Sequence, residues 1–288
     1  MSLDVFQEKI RKMKNPSVLV LEAFSGLIPP QFLQTQTVAG ACREYYGQLL
    51  TELKAAVPGV RFGFGSFALL GAEGLAALSE LMSQAKDMGY YVLLDAPQIL
   101  SVAAAENLAA ALDQNDCFCR CDGLIVSAYQ GSDMLKPFLP LCRKGITLFP
   151  VVRTANKSAT EVQDLLTGTR LVHTAAADIV YRQGEGMIAK CGYAQVGALA
   201  AASAADSLRS LRAKYSRLFL LLDGYDYPNA NAKNCSFAFD KLGHGAAACA
   251  GTSIVGAWQN AEGRDPYSAA AEAVERMKKN LTRYITIL

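Results

Sequence analysis

The ionisable residues of most chemical interest stand at the ends of short apolar runs. Glu22 closes the run VLVLE (18–22), Asp95 closes YYVLLD (90–95) and Asp223 closes LFLLLD (218–223). Arg61 lies inside VRFGFG (60–65). Three carboxylates and one guanidinium in equivalent positions allow two kinds of chemistry. They could hold a divalent cation through oxygen, or neutralise one another as charge-assisted hydrogen bonds. Each carboxylate could equally cap the helix that follows it. Other polar residues at such ends are Ser127 with Tyr129, Arg153 with Asn156, Ser203, Tyr225 beside Asp223, and Gly251 with Thr252. This set holds no lysine, no histidine and no metal-ligand spacing, so neither a metal nor a cofactor is expected.

Three further strings need a reading. Cys117, Cys119 and Cys121 alternate, and in an extended segment alternate side chains point the same way. A soft metal is conceivable there, but zinc pairs usually leave two to four residues between ligands, so free thiols are the simpler expectation. His173 and His244 fall at no strand end and read as ordinary loop or helix residues. The loop Asp223-Gly224-Tyr225-Asp226-Tyr227-Pro228-Asn229 is either the lip of a ligand mouth or a long surface turn.

The elements that must position these residues alternate regularly. Four further apolar runs complete a set of eight: GLIVSA (123–128), ITLFPVV (146–152), VGALAA (196–201) and AAACAG (246–251). Helical patterns lie between them. Residues 72–89 put Leu75, Leu78, Leu81, Met82 and Ala85 on one face and stop at Gly89. Residues 101–115 open on a Ser101 cap, 132–145 close on Gly145, and the last helix spans about 264–284. From Ser158, with Glu161 three residues on, the spacing is that of a capping box. Near-continuous apolar strands alternating with helices predict a parallel sheet covered by helices. Eight repeats predict a single-domain (β/α)8 barrel over residues 1–288, with a helical extension at about 1–16 packed on its bottom. In such barrels chemistry sits at the C-terminal strand ends, where the residues named above fall.

The chain has 288 residues, 51% of them hydrophobic and 19% charged, enough for a sizeable core and too apolar for disorder. Its 28 basic and 26 acidic residues leave a net charge of +2, which gives no argument for nucleic acid or an acidic membrane as partner. No apolar run reaches the roughly 18 residues of a membrane span, and MSLDVFQEKIRKMKN lacks the apolar core of a signal peptide. Eight cysteines without an export signal are expected to be reduced, in a cytoplasmic protein.

Five stretches then carry a resemblance. GAEGLAALSELMSQAKDMGYYVLLDA (71–96), AYQGSDMLKPFL (128–139), VVRTANKSATEVQDL (151–165), CGYAQVGALAAAS (191–203) and GHGAAACAGTSIVGAW (243–258) follow in the order and spacing of the long bacterial orotidine 5′-phosphate decarboxylases. The chain resembles that family along nearly its whole length. The resemblance implies a cofactor-free barrel that removes CO2 from a pyrimidine nucleotide in pyrimidine biosynthesis. It also implies a Lys-Asp-Lys-Asp array whose last Asp comes from a neighbouring subunit.

The resemblance fails at the chemistry. The family's Asp-x-Lys-x-x-Asp is here Asp95-Ala96-Pro97-Gln98-Ile99-Leu100. Asp95 matches; Pro97 stands at the lysine and Leu100 at the second aspartate. Arg61 stands at the other lysine, Glu22 at the ribose-contacting aspartate and Ser127-Ala128-Tyr129 at Asn-Pro-Tyr. Pro228 stands at the glutamine near the phosphate, and Thr252 at the phosphate arginine. Arg153-Thr154-Ala155-Asn156 keeps the family pattern. Proline has no proton to give, and guanidinium holds its own above about pH 12. Arg61 can pair with Asp95 but cannot protonate a carbanion.

The expectation is therefore a catalytically impaired or inactive paralogue with a binding or partner role. Its ligand would be a small or nucleotide-like molecule less anionic than a nucleotide phosphate. It would pair as a homodimer or with an active paralogue. The alternative is a genuine decarboxylase, or another lyase, that uses rearranged residues. A third reading makes Arg61, Asp95 and Glu22 a structural ion-pair network plugging the mouth.

Overall fold

The structure is a computed structural model that describes residues 1–261 and 263–288. Eight short parallel strands close into a barrel, β1 (Ser17–Leu21), β2 (Gly59–Gly63), β3 (Tyr91–Asp95), β4 (Gly123–Ser127), β5 (Thr147–Val151), β6 (Ala198–Ala201), β7 (Leu220–Asp223) and β8 (Ala246–Ala250). The sheet closes where Ser17 of β1 faces Ala248 of β8 and Leu19 faces Ala250. Each of the eight apolar runs supplies one strand; β1 and β2 begin one residue earlier than their runs, and the others are trimmed at one or both ends. The second run stops at Gly63 because Phe64–Ala68 winds at once into a short helix. The sixth begins late because Val196 makes only an isolated bridge to Leu148.

The main helices are α1 (Leu3–Met13), α2 (Val38–Leu53), α3 (Gly71–Asp87), α4 (Val102–Leu112), α5 (Val172–Gln183), α6 (Ala205–Lys214) and α7 (Pro266–Thr282). In α3, Leu78, Leu81, Met82 and Ala85 are buried, and Gly89 turns the chain at φ +84°. Ser101 caps α4 by accepting the Ala104 N–H at 3.2 Å, and Asp265 caps α7 by accepting the Ser268 N–H at 2.8 Å.

Two helical expectations are corrected. Residues 132–145 form three short turns, Ser132–Met134, Lys136–Phe138 and Leu139–Arg143, because Pro137 and Pro140 have no N–H to continue a helix. The expected capping box at Ser158 does not form. Helix there is limited to Lys157–Ala159 and Thr160–Gln163. The chain then makes a two-stranded hairpin, Leu166–Thr167 with Arg170–Leu171, turning at Gly168 with φ +64°. Gln163 and Asp164 fold back onto the loop after β5, and the fifth long helix is α5, further along.

The barrel bottom is closed by rings. Phe6 of α1 stacks on Tyr91 at the start of β3, centroids 4.3 Å apart, and lies 5.7 Å from Phe219, just before β7. Phe149 and Tyr193 meet Phe219 edge-on at 6.0 and 5.8 Å. These rings explain the Ala-rich strands. A side chain at Gly197, just before β6, would come within 2.8 Å of Phe149. Small residues in β6 and β8 leave the lumen to the aromatics, so low strand propensity is overridden by packing. Among the described residues, no helix is long and apolar enough to cross a membrane.

Phe6 is fully buried. Phe6→Ala is expected to cost about 3–5 kcal/mol by emptying this plug. Urea unfolding of the two proteins measures it, and a loss below about 1 kcal/mol would show α1 to be dispensable to the barrel.

Candidate functional site

The strand ends bring most of the expected residues to one mouth. Arg61, third residue of β2, points into the lumen and is 8% exposed. Its Nε donates to Asp95 Oδ2 at 2.9 Å, and Nη2 donates to the same oxygen. Its Nη1 donates to Asp223 Oδ1 at 2.5 Å, from the end of β7. One guanidinium thus ties β2 to β3 beside it and to β7 across the barrel. Asp95 is 6% exposed and its Oδ1 is buried without a partner.

Glu22 completes the cluster from the end of β1. Its carboxylate lies against the Cα of Gly63, where any Cβ would overlap it. The glycine leaves room for this approach. Burial pushes the Glu22 carboxyl above the usual carboxylate range, and the Asp95 and Asp223 charges add to it; Ser66 and Arg61 pull the other way. Burial also raises Asp95, against the pull of Arg61. Cys249 of β8 sits beside Arg61, its thiol pushed up to about 12 by burial. Three carboxylates therefore share one cation.

Two cavities open at this mouth. The smaller, about 210 Å³, is lined by Glu22, Arg61, Asp223, Asp226, Tyr227 and Thr252 among others. The larger, about 520 Å³, is lined by Arg153, Asn156, Lys157, Ser203, Tyr227 and Asn229 among others. Tyr227 belongs to both, so the loop after β7 forms the wall between them. That loop turns at Gly224, φ +72°, where a Cβ would come 2.5 Å from Ala155 in the loop after β5.

The remaining candidates divide. Ser127 Oγ accepts the Tyr129 N–H at 3.2 Å, and the Tyr129 hydroxyl donates to the Val152 carbonyl at 2.6 Å. Arg153 is buried and turned sideways. Its Nε and Nη2 grip Asp164 at 3.0 and 2.9 Å, and its Nη1 donates to the Thr154 carbonyl at 2.8 Å. Its fork is filled by the chain itself. Tyr225 faces away from the mouth, toward Asn280 of α7, and lines neither cavity. Thr252 is exposed at the rim.

Sequence reasoning missed four participants. Asp226 Oδ2 accepts the Gly251 N–H at 2.6 Å and its Oδ1 the Ser253 N–H at 3.3 Å. A carboxylate thus covers the backbone donors after β8. Asp164 and His173 form the support of Arg153, with His173 Nδ1 3.2 Å from Asp164 and 2% exposed. Lys157 lines the larger cavity. The only signal for Asp226 was its place in the polar loop 223–229; nothing local marked Asp164. The alternating cysteines are corrected in one respect. Phe118–Cys119 is a turn and not extended, and among the described residues no three His, Cys, Asp or Glu side chains are placed to hold a metal.

Comparison with known proteins decides the family. An orotidine 5′-phosphate decarboxylase of Deinococcus radiodurans is 30% identical over 217 residues, covering 75% of each chain. The chain belongs to the orotidine 5′-phosphate decarboxylase family. The decarboxylase of Rhodopirellula baltica is 27% identical over 241 residues, 82% of this chain and 78% of its own. That of Clostridium novyi is 23% identical over 286 residues, 98% of both. No family model matches the chain. Among solved structures, the Leishmania donovani OMP decarboxylase superposes with a TM-score of 0.72 at 24% identity, covering 97% of this chain and 99% of its own. The Plasmodium berghei enzyme gives 0.75 at 12%, covering 98% of both. These neighbours share the barrel. Against the family pattern, Pro97 and Leu100 both lie exposed on the loop after β3.

Removing the guanidinium strands two carboxylates. Arg61→Met is expected to cost about 3–5 kcal/mol at neutral pH, with the loss shrinking as acid protonates the stranded groups. Glu22→Gln is expected to act oppositely. A carboxyl raised in the folded state adds stability that is complete below its unfolded pKa and is lost as pH rises through its folded one. At neutral pH Glu22 is a liability, so its amide raises the melting temperature there and flattens the profile above the ordinary carboxylate range. Thermal melts from pH 4 to 8 check both signs; a Glu22→Gln chain less stable at pH 7 contradicts this electrostatic account.

Proposed function

We propose that this chain is a decarboxylase-family barrel that no longer performs the family reaction and serves by binding a ligand or a partner. The observation that carries this reading is the state of the central cation. Expelling CO2 from a pyrimidine leaves an electron pair that must receive a proton. The cation in contact with Asp95 and Asp223 is a guanidinium, which does not release its proton near neutral pH. A general acid contributes about 10²–10⁴ in rate, and groups in such an array act as a unit.

The electrostatics support the same reading. Orotidine 5′-phosphate carries a carboxylate and a phosphate. It would approach Glu22, Asp95 and Asp223, with one cation already engaged by two of them. The backbone donors after β8, a common phosphate position in these barrels, are engaged by Asp226. The ligand that fits is neutral or less anionic than a nucleotide phosphate. Residues lining the larger cavity, Asn156, Ser203, Tyr227 and Asn229, offer uncharged donors and acceptors to it. We place the protein in the cytoplasm, in keeping with eight free thiols.

One observation favours the alternative of a rearranged enzyme. Lys157 lines the larger cavity and could supply an ammonium to a ligand held there. Orotidine 5′-phosphate turnover, followed by ultraviolet absorbance in a preparation free of the host's decarboxylase, decides. No turnover above buffer is expected. Turnover that vanishes in Asp95→Ala and falls in Lys157→Met overturns the inactive reading and assigns the acid.

Pairing is the other half of the reading. Leu69 and Leu100, on the connections after β2 and β3, and Val102, at the start of α4, are 89%, 58% and 41% exposed. These two loops adjoin, since Gly65 packs against Gln98. An apolar patch at this rim fits a second copy of the chain or an active paralogue. Sedimentation of the purified protein is expected to give a dimer that Leu100→Asp weakens. A monomer at all concentrations rules out the self-pairing form and leaves the paralogue to be tested by mixing.

A further inference from the structure

The turn between α4 and β4 holds a pair of sulfurs that the barrel mouth does not use. The Sγ atoms of Cys117 and Cys119 are 3.7 Å apart. Residues Phe118–Cys119 form a turn, which holds their Cα atoms closer than an extended stretch does. Closing the sulfurs to the ~2.0 Å of a disulfide takes a shift of about 1.7 Å. The two thiols differ in access. Cys117 is half-buried and lines a cavity of about 440 Å³ with Lys86, Asn115 and Arg120. Cys119 is 2% exposed.

We propose that Cys117 and Cys119 are a reversible redox pair that forms an intrachain disulfide by exchange with a small disulfide such as glutathione disulfide. The asymmetry of access assigns the roles. The Cys117 thiolate, reachable from solvent, attacks one sulfur of the small disulfide. That S–S bond breaks, one small thiol leaves with a proton, and a mixed disulfide remains on Cys117. Cys119, shielded from external reagents, then attacks the Cys117 sulfur and displaces the second small thiol. Two cysteine thiols are oxidised, one disulfide is reduced to two thiols, and the two cysteine protons end on them.

A bridge closing so short a loop constrains little of the unfolded chain. Its value is therefore chemical rather than structural. Cys121 is excluded from the pair by geometry: the sulfur in contact with that of Cys117 is Cys119's, and Cys121 is turned to the Leu94 backbone.

The sequence makes the test direct. Between Lys86 and Arg120 there is no other lysine or arginine, so trypsin releases residues 87–120 as one peptide containing Cys117 and Cys119 and no other cysteine. The native protein is exposed to glutathione disulfide, quenched by acid, digested without reductant and weighed. The expected product is peptide 87–120 lighter by two hydrogens, with two glutathiones released per chain and full recovery in dithiothreitol. In Cys119→Ser the same peptide should instead retain one glutathione on Cys117, and in Cys117→Ser it should not react. The proposal is overturned if wild-type 87–120 keeps a glutathione. It is equally overturned if the peptide keeps both thiols, or is joined to the peptide that carries Cys121.

Discussion

The Arg61 guanidinium, held between Asp95 of β3 and Asp223 of β7, is the interaction on which the mouth of this barrel depends. It is buried, so its charge has to be met by protein groups. Asp95 gives one oxygen to two of its N–H groups, and Asp223 reaches it from across the lumen. The geometry of β2, β3 and β7 is thereby tied at one point, and Glu22 uses the space that Gly63 leaves beside it. A lysine at the same place would present one mobile ammonium. The planar fork of arginine instead satisfies several acceptors at once and keeps its proton. Arg61 is thus a point of structural cohesion.

The same logic recurs around the rim. Arg153 closes its fork on Asp164 with His173 behind it, and Asp226 covers the donors after β8. At each place where an anionic ligand would be gripped, the chain supplies its own carboxylate. Self-satisfaction lowers the cost of burying these groups, and it raises the cost of admitting an anion, which must displace a paired carboxylate. What stays open is the space beside Tyr227, between the loops after β5 and β7, where exposed amides and hydroxyls are not engaged in this way.

The barrel was legible in the sequence because its signal is repetitive. Eight apolar runs, each short and each followed by a polar end, leave little freedom in topology. Even the Ala-rich sixth and eighth runs were recovered by the count, although their composition follows from rings elsewhere, Phe149 and Phe219. The helices failed where local chemistry outweighed pattern: Pro137 and Pro140 broke one, and the side chains of Gln163 and Asp164 stopped another. The cluster of Glu22, Arg61, Asp95 and Asp223 was legible as a set of strand-end positions. Its pairing was only partly so, because the contact between Arg61 and Asp223 spans 162 residues of sequence. Asp226 was hidden for the same reason, since nothing in Asp-Gly-Tyr-Asp says that the second carboxylate turns toward Gly251.

Stability and chemistry occupy opposite ends of this barrel, and the two ends tolerate change differently. At the bottom, Phe6, Tyr91, Phe149 and Phe219 interlock, and Gly123 and Gly197 have no room for a side chain. Substitution there costs packing directly. At the mouth, Pro97 and Leu100, which depart from the family pattern, sit on the loop after β3, where change is cheap. The guanidinium of Arg61 is accommodated because two carboxylates receive it. An aspartate can become Leu100 because that side chain points to solvent. A closed barrel with a sealed base thus carries the family relationship independently of the groups at its mouth.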